Sequence, residues 1–131
     1  MQFDEFIDQV QVTTGLTARQ EAVTVTRAVL ETLGERVDRK VWNGIAAQLP
    51  NELKEFVLAR TEHTDRYPMA EFYNRVGARA GLKYNDAAAR SRQVFSVLRQ
   101  AISEGEWNNL VGSLPRDEYR ELFDEEESDG T

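Results

Sequence analysis

Cysteine is absent from this chain, and its only histidine is His63. Disulfide bonds, metal–thiolate centres and Cys–His nucleophilic catalysis are therefore excluded, and Ser–His–Asp catalysis is disfavoured. Because disulfide-free chains are typical of reducing compartments, we expect a cytoplasmic protein. His63 lies in the segment EHTD with Glu62 and Asp65, but no other segment supplies the further ligands that a metal would need. We expect a solvated loop histidine, no metal site and no cofactor.

Long apolar runs are missing as well. No stretch approaches the roughly 20 residues that a membrane-spanning helix requires, and the first segment, MQFDEFIDQV, lacks the basic region of a signal peptide. We therefore expect no membrane association. The sequence also contains no GxGxxG, no phosphate-binding P-loop and no GxSxG elbow. Together with the scarcity of catalytic residue types, this predicts that the protein is not an enzyme.

Apolar residues recur every three or four positions along most of the chain, which predicts amphipathic α-helices and no β-strand. Glycine and proline mark the expected helix ends. Gly15, Gly34 and Gly81 each follow an apolar segment, and Pro50 and Pro115 each stop one. The sequence therefore predicts an all-α bundle of six to eight helices.

Polar residues predict where three of these helices begin. Thr17 with Gln20, and Ser103 with Glu106, have the spacing of a capping box, in which each side chain accepts a hydrogen bond from the backbone of the other residue. Asp38 is a candidate cap for the third helix.

The stretch WNGIAAQLP at 42–50 reappears as WNNLVGSLP at 107–115, 65 residues later. The same shift places other residues of the first half on identical residues of the second: Ala22 on Ala87, Arg27 on Arg92, Val29 on Val94 and Leu33 on Leu98. Most matches are apolar residues or helix stops, which a fold requires. The pattern predicts a tandem duplication of one multi-helix unit whose halves share a core, with both tryptophans as buried anchors.

The predicted organisation is a first helical repeat at 1–59, a linker at 60–68, a second helical repeat at 69–123 and an acidic disordered tail at 124–131. The linker, RTEHTDRYP, shows no apolar periodicity. The tail, DEEESDGT, is too charged to contribute to a core.

Two stretches, AVLETLGERV…AAQLP (28–50) and FYNRVGARAG…RDEYRELF (72–123), resemble a bacterial family known only as domain of unknown function 2267. The TLGER turn at 32–36, the ISEGE turn at 102–106 and the two Leu-Pro helix stops carry the resemblance. It covers the chain from Phe3 to Phe123. The resemblance implies an all-α fold and brings no assigned activity, cofactor or substrate.

The formal charge of −7 argues against indiscriminate binding to nucleic acids or anionic membranes. The charge is distributed unevenly, because residues 116–131 hold eight acids and two arginines whereas residues 72–103 hold one acid, Asp86. The basic residues of the latter segment form a candidate partner-binding basic face: Arg75, Arg79, Lys83, Arg90, Arg92 and Arg99. The simpler interpretation is a solvated face that the acidic tail partly neutralises.

Three functions are compatible with these observations. We favour a non-enzymatic interaction module that binds a protein partner or self-associates. The first alternative is a nucleic-acid-associated protein that uses the basic face, although the acidic tail and the lack of interleaved aromatic residues weaken it. The second alternative is a small-ligand carrier or enzyme with a pocket between the repeats.

Overall fold

The computed structural model describes residues 1–60 and 64–123, so the predictions for His63 and for the tail at 124–131 lie outside the described residues. The described residues form eight helices and no strand, which confirms the predicted all-α bundle. The helices are α1 (Phe3–Thr14), α2 (Arg19–Arg36), α3 (Arg39–Ala46), α4 (Asn51–Leu58), α5 (Met69–Ala80), α6 (Tyr84–Ala101), α7 (Glu104–Ser113) and α8 (Arg116–Phe123). In this part of the chain, none of the helices has the length and apolar character to span a bilayer.

Three of the four pairs of corresponding helices match in length, whereas α3 and α7 have 8 and 10 residues. Helices α1 and α5 have 12 residues each, α2 and α6 have 18, and α4 and α8 have 8. Contacts cross between the halves, because α2 packs on α5, α1 packs on α6 and α3 packs on α7. One cluster of buried side chains includes residues of all eight helices. A tandem duplication would produce this arrangement, and it stays a prediction.

Both tryptophans are buried, as predicted, with 0% and 5% of Trp42 and Trp107 exposed. The two indole rings have different polar neighbours. Trp42 Nε1 donates a hydrogen bond of 3.0 Å to the carbonyl of Leu33, near the end of α2. Trp107 lies beneath the Arg99 guanidinium, which is 5.2 Å from the ring centroid. The repeated WN stretches therefore anchor the core in both halves but do not make identical contacts.

Two of the three predicted glycine stops are confirmed. Gly15 and Gly81 follow α1 and α5 with φ angles of 78° and 71°, a left-handed backbone that favours glycine. The predicted stop at Gly34 is wrong, because this residue is buried inside α2, which continues to Arg36. The last turn of α2 persists because side chains from other segments bond its carbonyls.

The predicted capping box of Thr17 and Gln20 is wrong. Helix α2 begins one residue later than this box requires, and its N-cap is Ala18. The carbonyl of Thr17 instead accepts a hydrogen bond of 3.0 Å from Gln11 Nε2 of α1. The turn between α1 and α2 is therefore held by a contact from the preceding helix.

The other two predicted caps are half right. Ser103 Oγ accepts a bond of 3.2 Å from the Glu106 backbone, but the Ser103 backbone donates to Gln48 Oε1 at 2.7 Å, across the halves. Asp38 precedes α3 without capping it, because its carboxylate accepts a hydrogen bond of 3.4 Å from Arg66. Tertiary partners have replaced local ones in both cases.

Substitution by alanine is expected to have opposite effects on stability at Gly77 and at Gly112. A Cβ at Gly77 would lie 2.6 Å from the backbone oxygen of Leu82, whereas a Cβ at Gly112 meets nothing within 4 Å. We expect Gly77→Ala to lower the free energy of unfolding by about 1–3 kcal/mol through overpacking. We expect Gly112→Ala to raise it by up to about 1 kcal/mol, because alanine favours the helix. Urea unfolding of both variants checks this, and a loss of stability in both would contradict the assigned packing.

Candidate functional site

The residues of the candidate basic face contact different parts of the fold. Arg75 and Arg79, both on α5, turn toward α2 and meet Glu35. Arg79 Nη2 lies 2.7 Å from Glu35 Oε2, and Arg75 Nη1 lies 3.2 Å from Glu35 Oε1. Arg75 also pairs with Asp65 at 3.0 Å and with Glu71 at 2.9 Å. These two arginines therefore tie α5 to α2 and are not free cations for a partner.

The pKa values of Glu35 and Arg75 are both shifted in the direction that favours the charged form. Burial raises the pKa of Glu35, but the hydrogen bonds and charges of Arg79 and Arg75 outweigh it and lower the pKa below the ordinary 4.5. Burial lowers the pKa of Arg75, but its bonds to the surrounding carboxylates outweigh this and raise the pKa further above neutrality. Both groups are consequently charged at neutral pH.

The remaining basic residues contact other elements. Arg92 pairs with Glu121 of α8 at 3.3 Å, and Arg99 covers Trp107 of α7. Arg90 donates to Gln93 on its own helix at 2.9 Å, and Lys83 is exposed just before α6. Four of the six cations thus have acidic or aromatic partners within the chain, and their role as one docking face stays a prediction.

A different feature, an open groove, crosses the C-terminal part of α7. On one side it is a cavity of about 550 Å³, lined by Arg36, Arg66, Tyr67, Pro68, Gly112, Ser113, Leu114, Pro115 and Glu118. On the other side it is a cavity of about 570 Å³, lined by Lys40, Val41, Gly44, Glu106, Asn108, Asn109, Gly112 and Ser113. Because the two cavities share Gly112 and Ser113, we treat them as one surface and call it the α7 groove.

Arg36 is the unusual residue of the α7 groove. It is the last residue of α2, and only 4% of it is exposed. Its Nε donates to the carbonyl of Tyr67 at 2.9 Å and to the hydroxyl of Tyr119 at 3.2 Å. Its guanidinium carbon lies 5.2 Å from the centroid of the Tyr119 ring. In the described ranges no carboxylate forms an ion pair with Arg36, although buried guanidinium groups are usually paired.

Two tyrosines hold Arg36 in position. The Tyr67 hydroxyl donates to the carbonyl of Thr32 at 2.8 Å, and the Tyr119 hydroxyl donates to the carbonyl of Tyr67 at 2.8 Å. Burial raises the pKa of Tyr67, and it raises the pKa of Tyr119 to about 12 against the opposing charge of Arg36. Both phenols are therefore protonated at neutral pH and act as hydrogen-bond donors.

Sequence reasoning did not find Arg36. The residue lies in the TLGER turn, yet nothing local distinguishes it from an ordinary cation at a helix C-terminus. Its partners, Tyr67 and Tyr119, are 31 and 83 residues away in the chain. The only available signal was the pair of tyrosines in segments that otherwise read as linker and surface helix.

A further cavity of about 370 Å³ lies between the α1–α2 turn and the α5–α6 turn. Its lining includes Glu21, Asp86 and Arg90, so it joins the two halves as the sequence-based alternative of an inter-repeat pocket requires. In the described part of the chain, no three His, Cys, Asp or Glu residues are placed to hold a metal ion. This cavity contains no buried, unpaired charge comparable to Arg36.

A family model described as "Uncharacterized conserved protein (DUF2267)" matches residues 3–122. This match spans nearly the whole chain, so the chain belongs to that family, which confirms the resemblance seen in its sequence. No curated protein matches the chain. The family description names no activity, so the function has to be argued from the geometry.

The lowered pKa of Glu35 predicts a pH-dependent contribution to stability. A carboxylate whose folded-state pKa lies below 4.5 stabilises the fold above that pH, and the contribution is lost as the pH falls through the folded-state value. In a double-mutant cycle of Glu35→Gln and Arg79→Gln, we expect a coupling free energy of about 1–3 kcal/mol at about pH 7. The coupling should be smaller at about pH 3 than at about pH 7, because it decreases as the pH falls toward the lowered pKa of Glu35.

Urea unfolding followed by circular dichroism measures each corner of this cycle. A coupling of equal size at both pH values would contradict the assigned role of Glu35. The conservative variant Glu35→Asp retains the charge and serves as the control, because it shortens the side chain without removing the pH dependence.

Proposed function

We propose that this member of the DUF2267 family is a non-enzymatic interaction module whose α7 groove receives a segment of a partner protein. The observation that carries the proposal is that two open cavities share Gly112 and Ser113 of α7, one lined by residues of α3 and the other by residues of the segment before α5. An open groove of this kind suits an extended segment, whereas small-molecule sites enclose most of the ligand surface.

The lining of the groove suits recognition of a polypeptide. Asn108 and Asn109 offer amide donors and acceptors at the middle of the groove. The Ser113 hydroxyl already donates to the carbonyl of Leu110 at 2.7 Å, so it is oriented to accept a hydrogen bond from a ligand. Protein interfaces contain about one hydrogen bond per 100–200 Å², and these groups can provide several.

The distribution of charge along the groove supports a defined orientation of the partner. Lys40 and Glu106 lie at the α3 end and balance each other, whereas Arg36, Arg66 and Glu118 at the other end leave one positive charge. Charge patterns of this kind fix the register of an interface more than they add affinity. Nucleic acid is a weaker candidate for this chain, because most arginines of the basic face already have partners in the fold.

Two variants of α7 test the proposed function. Leucine at Gly112 would project from a position with open space and fill the groove, whereas leucine at Gly105 lies on the same helix but lines neither cavity. We expect Gly112→Leu to abolish retention of the partner on immobilised protein and Gly105→Leu to leave it unchanged. Retention is measured from nuclease-treated lysate of the source cell by quantitative mass spectrometry.

Circular dichroism verifies that both variants are folded. Equal retention by wild type, Gly112→Leu and Gly105→Leu would place the interaction outside the α7 groove. Sedimentation equilibrium of the same three proteins identifies the case in which the partner is a second copy of this chain. Binding that disappears with nuclease treatment would favour nucleic acid and overturn the proposal.

A further inference from the structure

We propose that the Arg36 end of the α7 groove binds a carboxylate group, supplied by an acidic side chain of the docked segment. The identity of the carrier rests on the proposed function, whereas the carboxylate site itself rests only on the geometry around Arg36.

The Nη1 and Nη2 groups of Arg36 are available as hydrogen-bond donors. The two hydrogen bonds of Arg36 both start from Nε, and within residues 1–60 and 64–123 neither Nη1 nor Nη2 has a partner. In those same residues, Thr26 Oγ1 is the only fully buried side-chain polar atom without a hydrogen bond. Both Nη atoms of Arg36 therefore retain access to solvent, and the cavity that Arg36 lines provides it.

The guanidinium group of Arg36 is held in a fixed orientation. Nε is bonded to two oxygens and the guanidinium lies against the Tyr119 ring, so its plane cannot rotate freely. The Nη1–Nη2 edge is then the part of the fork that remains for a ligand. Two parallel N–H groups match the two oxygens of a carboxylate, and such bidentate bonds are short and strong.

Arg36 has no carboxylate ion-pair partner among the described residues. Arg36 is almost fully buried, and its partners among the described residues are the carbonyl of Tyr67, the carbonyls at the end of α2 and two aromatic faces. The neighbouring acid, Glu35, turns to α5 and pairs with Arg75 and Arg79. A carboxylate entering the groove would meet a cation that folding has largely buried and whose Nη atoms face the cavity.

The charge count favours a carboxylate over a phosphate. Arg36 is the one cation of this cavity without an acidic partner in the described residues, because Arg66 pairs with Asp38 at 3.4 Å. Glu118 also lines the cavity and adds a negative charge at its edge. The charged groups that line the cavity, Arg36, Arg66 and Glu118, sum to one positive charge. This charge balances one carboxylate, whereas a phosphate dianion would leave one negative charge unbalanced.

The matching position of the other half indicates that the fold does not require an arginine here. Ala101, 65 residues after Arg36, is the last residue of α6, as Arg36 is the last residue of α2. Helices α2 and α6 have the same length, and α6 ends without a buried cation. An arginine is therefore not needed to end a helix of this length, and at the end of α2 it bonds Tyr67 and Tyr119.

The test is an NMR titration of the ¹⁵N-labelled full chain with sodium acetate against sodium chloride at equal ionic strength. We expect saturable shifts of the Arg36 Nε–Hε signal and of the Gly112 and Ser113 amides, with a dissociation constant on the order of millimolar. Arg36→Gln should weaken acetate binding about tenfold or more. Arg99→Gln, which removes an exposed arginine elsewhere, should leave it unchanged.

A second pair of variants keeps the test informative if Arg36→Gln does not fold. Gly112→Glu places a carboxylate in the groove at a position with open space, and Gly112→Gln has the same size without the charge. We expect acetate to bind Gly112→Glu at least about fivefold more weakly than Gly112→Gln, because the internal carboxylate competes for Arg36. Equal affinities of the two variants would overturn the proposal.

Other outcomes separate the two proposals. Shifts that do not saturate, or inorganic phosphate binding more tightly than acetate, would overturn the carboxylate site. If Arg36→Gln retains the partner that Gly112→Leu loses, the proposed function stands and the carboxylate inference falls. If acetate binds but no variant changes retention, the carboxylate site stands and the docking function falls.

Discussion

The C-terminal turn of α2 is the point on which the rest of the structure depends. A helix leaves its last four carbonyls without partners in the helix, and a buried carbonyl without a partner is costly. Here the Asp65 backbone N–H bonds one of these carbonyls, that of Glu35, at 2.8 Å. The Tyr67 hydroxyl and Trp42 Nε1 add bonds to the carbonyls of Thr32 and Leu33 in the same part of α2. These bonds hold α3 and the segment before α5 on α2, which forms one wall of the α7 groove.

The same turn separates two opposite charges. Adjacent residues of a helix point about 100° apart, so Glu35 and Arg36 cannot pair with each other. Glu35 meets Arg75 and Arg79 and joins α2 to α5. Arg36 turns to Tyr119 and the groove, where no described carboxylate meets it. Two neighbouring residues thus give a stabilising ion cluster and a buried cation that has no ion-pair partner among the described residues.

The two halves share three of their four helix lengths but not their polar contacts. Trp42 bonds the end of α2, whereas Trp107 is covered by Arg99. Arg36 ends α2, whereas Ala101 ends α6. The apolar positions tolerate repetition because they fill a common core, while polar groups respond to neighbours that differ between the halves. This divergence leaves a buried arginine at the end of α2 and an alanine at the end of α6.

Helix number, the buried tryptophans and the glycine ends of α1 and α5 could be read from the sequence alone, because periodicity and left-handed glycine caps are local properties of the chain. Gly34, the Thr17–Gln20 box and the basic face required the tertiary structure. Their outcomes depend on partners that are distant in the chain, such as Tyr67 for Arg36 and Glu35 for Arg79. A sequence does not show which way a charged side chain points. Only the packing of the fold decides whether that side chain meets a carboxylate, an aromatic ring or an open groove.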